Sequence, residues 1–304
     1  MLNLSPFETS FKKKYRKLFT PMQTTLLFFL CTIFSAMDCT KKDFENNMSF
    51  LFDSIPVSHP VIPLIKEGSG IADSKINPGN IWVEEDNDNP PQIILLKYDG
   101  TIVKKVFIDG AVNRDWEDMA LYDNSIYVAD IGDNKQVYKS YTFYIFPEPS
   151  STTDTVKNIK AVSFMYPDGS HDAEAFLLDR KSHDIYIITK RDNPSRIYKL
   201  SYPYAAPVNT VTLVSKLNYT GVVGAAASND EKEMIVKTYL GLNYYRRKNG
   251  QSIIDCLMQS PRPLPYIVEP QGEAVCFAQK NNGFFTLSEK GMASFVKLYF
   301  YSRK

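Results

Sequence analysis

The chain has 304 residues, 44% of them hydrophobic, 13% aromatic and 23% charged, which is enough to bury a sizeable core. With 35 basic residues against 34 acidic ones the formal net charge is +1, so nothing in the balance suits a polyanion and nucleic-acid binding is not expected.

Residues 1–38 read as an export signal. Lys12-Lys13-Lys14-Tyr15-Arg16-Lys17 is basic, and the apolar run from Thr24 to Met37 is too short to span a bilayer comfortably. Cys39 follows it, then the polar run Thr40 to Asn47, an arrangement that resembles a bacterial lipoprotein signal with Cys39 acylated. Asp38 stands where such signals carry a small residue, so a soluble secreted chain or an uncleaved anchor are the alternatives. The expected address is the bacterial outer membrane or cell surface, otherwise the periplasm or medium, with the membrane touched only through the lipid. Beyond the signal only Cys39, Cys256 and Cys276 remain, too few for a disulfide framework; Cys256 and Cys276 read as two buried thiols, with a bridge as the alternative.

Residues 39–60 carry no sustained period and read as a tether ahead of a single domain over 61–304. Within that domain the sequence repeats itself. Asp115-Trp116-Glu117-Asp118 runs into an apolar strand, and Ile126-Tyr127-Val128-Ala129-Asp130 follows as a second. Asp172-Ala173-Glu174-Ala175 and Gln271-Gly272-Glu273-Ala274 open the same pattern, and Ser69-Gly70-Ile71-Ala72 and Val223-Gly224-Ala225-Ala226 are weaker copies. Aligned on their second strands, the matching positions are Ser69, Asp118, Glu174, Val223 and Glu273, spaced by 49, 56, 49 and 50 residues. Several short strands per unit at such a period predict the blades of a β-propeller.

Third and fourth strands are expected at Ile93–Tyr98 with Ile102–Ile108, Thr142–Phe146 with Ala161–Met165, Arg196–Leu200 with Val211–Val214, and Asn243–Arg246 with Ile253–Met258. The last repeat offers only three strands, and Val61–Ile65 is spare at the start. A terminal strand that completes the opposite end's blade removes the open sheet edge, so Val61–Ile65 is assigned to the last blade. The fold class is therefore all-β, one propeller of five blades closed by an N-terminal strand and expected to be a monomer. Six blades are possible if the N-terminal segment supplies more than one strand.

The combination of Ser69-Gly70-Ile71-Ala72, Asp115-Trp116-Glu117-Asp118, Asp130-Ile131-Gly132-Asp133-Asn134, Glu148-Pro149, Asp172-Ala173-Glu174-Ala175, Thr189-Lys190-Arg191 and Gln271-Gly272-Glu273-Ala274 resembles a poorly characterised family of exported bacterial β-propellers. In plan that family is similar to esterase-like phytases, calcium-dependent phosphotriesterase-like proteins and calcium-activated nucleotidases. The resemblance implies a fold more firmly than an activity.

First strands of a propeller line its channel, so Ser69, Asp118, Glu174, Val223 and Glu273 should form a ring, with Glu67 and Glu117 close by. Carboxylates at such distances repel, and burial sharpens the repulsion. A cation relieves it, and calcium suits oxygen ligands in loose geometry, which makes Glu117, Asp118, Glu174 and Glu273 the candidate metal ligands. Backbone N–H groups offer the alternative, each acid tying its blade to the next. With His59, His171 and His183 scattered, zinc or copper is not expected.

Second strands run back to the same mouth, where Asp130, Asp133, Asn134, Lys190, Arg191 and Lys237 are candidates for binding an anionic ligand, or else a solvated rim. Tyr239, Glu85, Asp86, Ser288 and Glu289 should stand beside them. His171 is a weak candidate for a general base, Trp116 reads as blade packing, and Gly132-Asp133-Asn134 reads as a tight turn. The expected function is a binding module for a small-molecule or protein ligand. A calcium-dependent hydrolase of phosphoesters or esters, with Lys190 or Arg191 steadying the anion, is the alternative.

Overall fold

A computed structural model describes residues 51–87 and 89–304. The expected export signal and Cys39 lie outside the described residues, among which no helix is long and apolar enough to cross a membrane.

Each repeat folds as one antiparallel sheet. Blade one holds β2 (Gly68–Asp73), β3 (Asn80–Glu85), β4 (Gln92–Lys97) and β5 (Ile102–Ile108). Blade two holds β6 (Trp116–Tyr122), β7 (Ser125–Asp130), β8 (Tyr141–Pro147) and β10 (Lys160–Met165). Blade three holds β11 (Ala173–Leu178), β12 (Ile185–Thr189), β13 (Arg196–Leu200) and β15 (Thr212–Lys216). Blade four holds β16 (Val222–Ala227), β17 (Glu233–Thr238), β18 (Gly241–Arg246) and β19 (Arg262–Pro263). Blade five holds β20 (Ala274–Phe277), β21 (Gly283–Leu287), β22 (Lys297–Ser302) and, on its outer edge, β1 (Val57–Pro60). Two-residue strands β9 (Thr155–Val156) and β14 (Asn209–Thr210) extend blades one and two in parallel. The described chain is thus a five-bladed, all-β propeller.

Closure comes from the N-terminus, four residues earlier than expected. Val57 to Pro60 pair with Phe300 to Lys297, and Phe52, fully buried, bridges to Arg303. Val61 and Ile65 are buried between blades five and one while Ile62 and Leu64 are exposed. The apolar run imitates a strand in sequence, but Pro63 lacks the N–H that a ladder needs.

A second correction concerns blade four. Ile253–Leu257, expected as a strand, is the short helix α1, N-capped by Ser252, whose hydroxyl accepts from the Asp255 N–H. Ile253, Cys256 and Leu257 face inward at helical spacing, and the outer strand falls instead at Arg262–Pro263.

Five apolar clusters, one at each blade interface, form the core. Phe143, Phe164, Phe176 and Tyr198 fill the gap between blades two and three, and Trp82, Leu95 and Trp116 that between one and two. Trp116, with its indole N–H on Val112 O, is blade packing as expected. Cys256 and Cys276 are free and buried in separate clusters.

Candidate cation centre at the channel mouth

The innermost strands of blades one to four carry the same irregularity near their start. Register slips between Gly68 and Gly70, Trp116 and Asp118, Ala173 and Ala175, and Val222 and Gly224 leave one residue unpaired in each: Ser69, Glu117, Glu174 and Val223. Glu273 holds the matching position just before Ala274 pairs with Leu287. A bulge of this kind re-aims one side chain out of the pleat, here toward the axis. The ring is therefore Ser69, Glu117, Glu174, Val223 and Glu273, and in blade two it is Glu117 that stands there. Asp118, one residue on, points the other way around the bulge. Its carboxylate accepts from the N–H groups of Met119 at 2.9 Å and Phe176 at 3.2 Å, which ties blade two to blade three.

Glu117, Glu174 and Glu273 each bring a carboxylate oxygen within 4.8 Å of the other two. A second group, Asp86, Asp115 and Glu117, meets the same limit, so Glu117 belongs to both. Oxygen ligands on opposite sides of a calcium ion stand about 4.8 Å apart, since each bond is about 2.4 Å, so both groups are compact enough to share an ion. Gly132 makes room for them, because a Cβ there would overlap Glu117 Oε1 and the Asp115 carboxylate. Its φ is not in the left-handed region, so space for two carboxylates, and not the turn, is what requires glycine at this position.

Hydrogen bonding around the ring is uneven. Glu273 is well supplied, by Tyr239 Oη at 2.5 Å and Ser69 Oγ at 3.1 Å. Glu174 receives the Lys190 ammonium on Oε1, while its buried Oε2 has no partner among the described residues. Glu84, on β3 and completely buried, has no partner for either oxygen. It lies over Gly70, where a side chain would strike it, and was not singled out from the sequence. Two acids in succession at the end of the buried strand Ile81-Trp82-Val83-Glu84-Glu85 were the available signal.

Burial raises the carboxyls of Glu84, Glu117 and Glu174 well above the usual range, and neighbouring carboxylates push each further. Asp86 is pushed up to about 8, chiefly by burial with help from Asp115, and Glu289 to about 9 by burial and by Glu273. Burial alone would pull Lys190 down, but Glu174 and Glu273 hold its ammonium above the ordinary lysine range. Burial and mutual repulsion thus favour the protonated form of these acids at this end of the channel.

Of the other predicted mouth residues, few are free to meet a ligand. Asp130 accepts from the Asp115 N–H at 2.8 Å, and Asp133 from the N–H groups of Val137 and Tyr138 and the Tyr141 hydroxyl. Arg191 pairs with Asp172 at 2.6 Å and reaches Asn134. Lys237 is fully buried, held by Glu269 at 3.0 Å and Ala274 O at 2.9 Å. His171 is buried, with Nδ1 on Asp192 at 2.9 Å and Nε2 between Tyr198 Oη at 2.9 Å and Asp168 at 3.2 Å, so both ring nitrogens are engaged. Further along the inner strands lies a cavity lined by Ala72, Ala120, Ala226 and Val275 together with the polar Asp73, Arg180, Ser228 and Asn229.

No family model matches the chain, and no curated protein matches it either. Among solved structures it is similar to one described as U3-55K, at 9% identity and TM-score 0.37, over 77% of this chain and 67% of that one. It is also similar to the WD40 repeats of RRP9, at 10% identity and TM-score 0.38, over 77% and 67%. A third is the hydrazine synthase of Kuenenia stuttgartiensis, at 9% identity and TM-score 0.41, over 76% and 70%. Likenesses this distant carry no argument about function.

Proposed function

We propose that this protein is an exported, lipid-anchored binding module whose ligand face is the acidic channel mouth, and that the mouth holds a divalent cation, calcium first. The observation that carries this reading is the convergence of buried carboxylates on Glu117 with too few donors to satisfy them. Uncompensated buried acids are costly, and a hard cation with oxygen ligands removes the cost. Export and acylation at Cys39 rest on the sequence pattern of residues 12–47.

Metal-dependent hydrolysis of a phosphoester or ester is the second reading. It is favoured by Asp86, the half-buried member of its group, because an ion held there would face solvent and could admit a substrate oxygen. The resemblance in plan to phytase-like and phosphotriesterase-like propellers, which rests on the sequence motifs, would belong to this reading alone.

The test is thermal unfolding of the full chain after chelation, titrated with calcium. A ligand that binds only the folded state raises the melting temperature in a saturable way. The expected result is such a rise in the native protein and none in Glu117→Gln. No shift across millimolar calcium removes the cation from the reading and returns the acids to a structural role; turnover of phosphoester or ester substrates, lost in Glu117→Gln, would establish the second reading.

A further inference from the structure

The two carboxylate groups that share Glu117 are not equivalent, and the difference is Lys190. This residue follows β12, and its ammonium reaches Glu174 Oε1 and the Tyr239 hydroxyl at 3.0 Å, with Glu273 Oε1 at 3.8 Å. It also lies 5.2 Å from the Tyr239 ring centre. Lys190 thus serves two members of the inner group Glu117–Glu174–Glu273, namely Glu174 and Glu273, as a cation carried on the protein's own chain. The outer group, Asp86–Asp115–Glu117, has no ammonium or guanidinium within ion-pair distance among the described residues. It has instead one half-buried member, Asp86, neutral donors from Asn87 to Asp86 and to Asp115 at 3.0 Å, and the space left by Gly132.

We propose that Lys190 is a built-in occupant of the inner position, so that the resting protein takes a divalent cation only at Asp86–Asp115–Glu117, and that removing the lysine uncovers a second, adjacent cation position bridged by Glu117. The inference rests on the cation reading above. A tethered group competes at an effective concentration of about millimolar or more, so a dissolved ion of modest affinity does not displace it. Two observations outside the acid count support cation capture here. One is that an ammonium is already seated in the inner group. The other is Glu84, a member of neither group, completely buried, with both oxygens unpartnered beside the first-strand backbone of blades one and two. The unpartnered Glu174 Oε2 adds a free ligand atom to the inner position, one that a lysine with three protons and two close partners leaves unused.

The experiment is calorimetric titration of the chelated full chain with calcium, reading stoichiometry. The native protein is expected to bind one ion, Lys190→Met two, and Lys190→Met with Glu174→Gln one again. Asp115→Asn should abolish binding in the native background, whereas Glu174→Gln alone should leave it. If Lys190→Met fails to fold, Lys190→Gln keeps a donor toward Tyr239 while removing the charge. Two ions in the native protein, or one in every lysine variant, overturns the masking role and leaves the cation reading standing. No binding in any of them overturns the cation reading itself, and masking with it.

Discussion

The two ends of this propeller differ in how completely their acids are supplied with donors. At the end away from the mouth, Glu148 accepts from Ser74 Oγ at 2.5 Å, from the Trp82 indole at 3.0 Å and from two backbone N–H groups. Glu231 there takes the Tyr122 hydroxyl at 2.8 Å and the Arg180 N–H at 2.7 Å, and Asp73 takes Tyr98 Oη and the Gln279 N–H. Each joins neighbouring blades and each is supplied with donors. At the mouth, Glu84 and Glu174 keep buried oxygens with none. Number and burial of carboxylates do not separate a blade tie from a ligand site; the supply of donors does.

The comparison breaks first, and hardest, at Glu148. Glu148→Leu strands several buried donors between blades one and two and is expected to lower stability by about 3 kcal/mol, measured by urea unfolding. Calcium at about a hundred times its dissociation constant should add about 2.7 kcal/mol to the native protein, and nothing to Glu117→Gln, by the same measurement. pH should act most strongly at the mouth. Asp86 and Glu289 have folded values of about 8 and about 9 against ordinary values of 3.8 and 4.5. Over that window the folded state holds protons that the unfolded state has lost, so stability in chelator is greatest below about pH 4 to 5 for these groups. It falls as pH rises toward 8 or 9. The expected outcome is a melting temperature a few degrees lower at pH 8 than at pH 6 in chelator, with calcium flattening the slope; an unchanged slope with calcium would separate the acids from any ion. The smallest effect has the opposite sign to the first. Glu84→Met, which replaces an unpartnered buried acid by an apolar group of similar length, should stabilise the chelated protein by about 1 kcal/mol.

Much of the architecture was legible because blade repeats recur in sequence at the level of strand pairs, and Glu117, Glu174 and Glu273 lie where first strands must converge. The register within blade two was not. Trp116-Glu117-Asp118-Met119 offers an acid on either side of the bulge, and only the pairing of Trp116 with Asp130 and of Asp118 with Ala129 decides which one turns inward. Asp118 is consumed by backbone donors of its own and the next blade, a partner set that spacing cannot reveal. Gly132 shows the same limit: its neighbours in sequence suggest a turn, while its reason for being glycine lies in Glu117 and Asp115 across the channel. Lys190 was placed at the mouth by its position after β12, but its service as a cation for Glu174 depends on a side-chain reach that the sequence does not carry.

The pairing of β1 with β22 bears on how the molecule would respond to force. In this antiparallel pair Val57 faces Phe300 and Pro60 faces Lys297, with Phe52 bridged to Arg303 beyond them. A pull on the chain ahead of residue 51 therefore reaches Phe52 first and then Val57, Ser58, His59 and Pro60 in turn, peeling them off one rung at a time instead of shearing the whole ladder at once. The first yield point is the fully buried Phe52 ring, set edge-on against Tyr244 and Phe284 of blades four and five. If the protein hangs from its N-terminus, that ring is the mechanical fuse of the propeller.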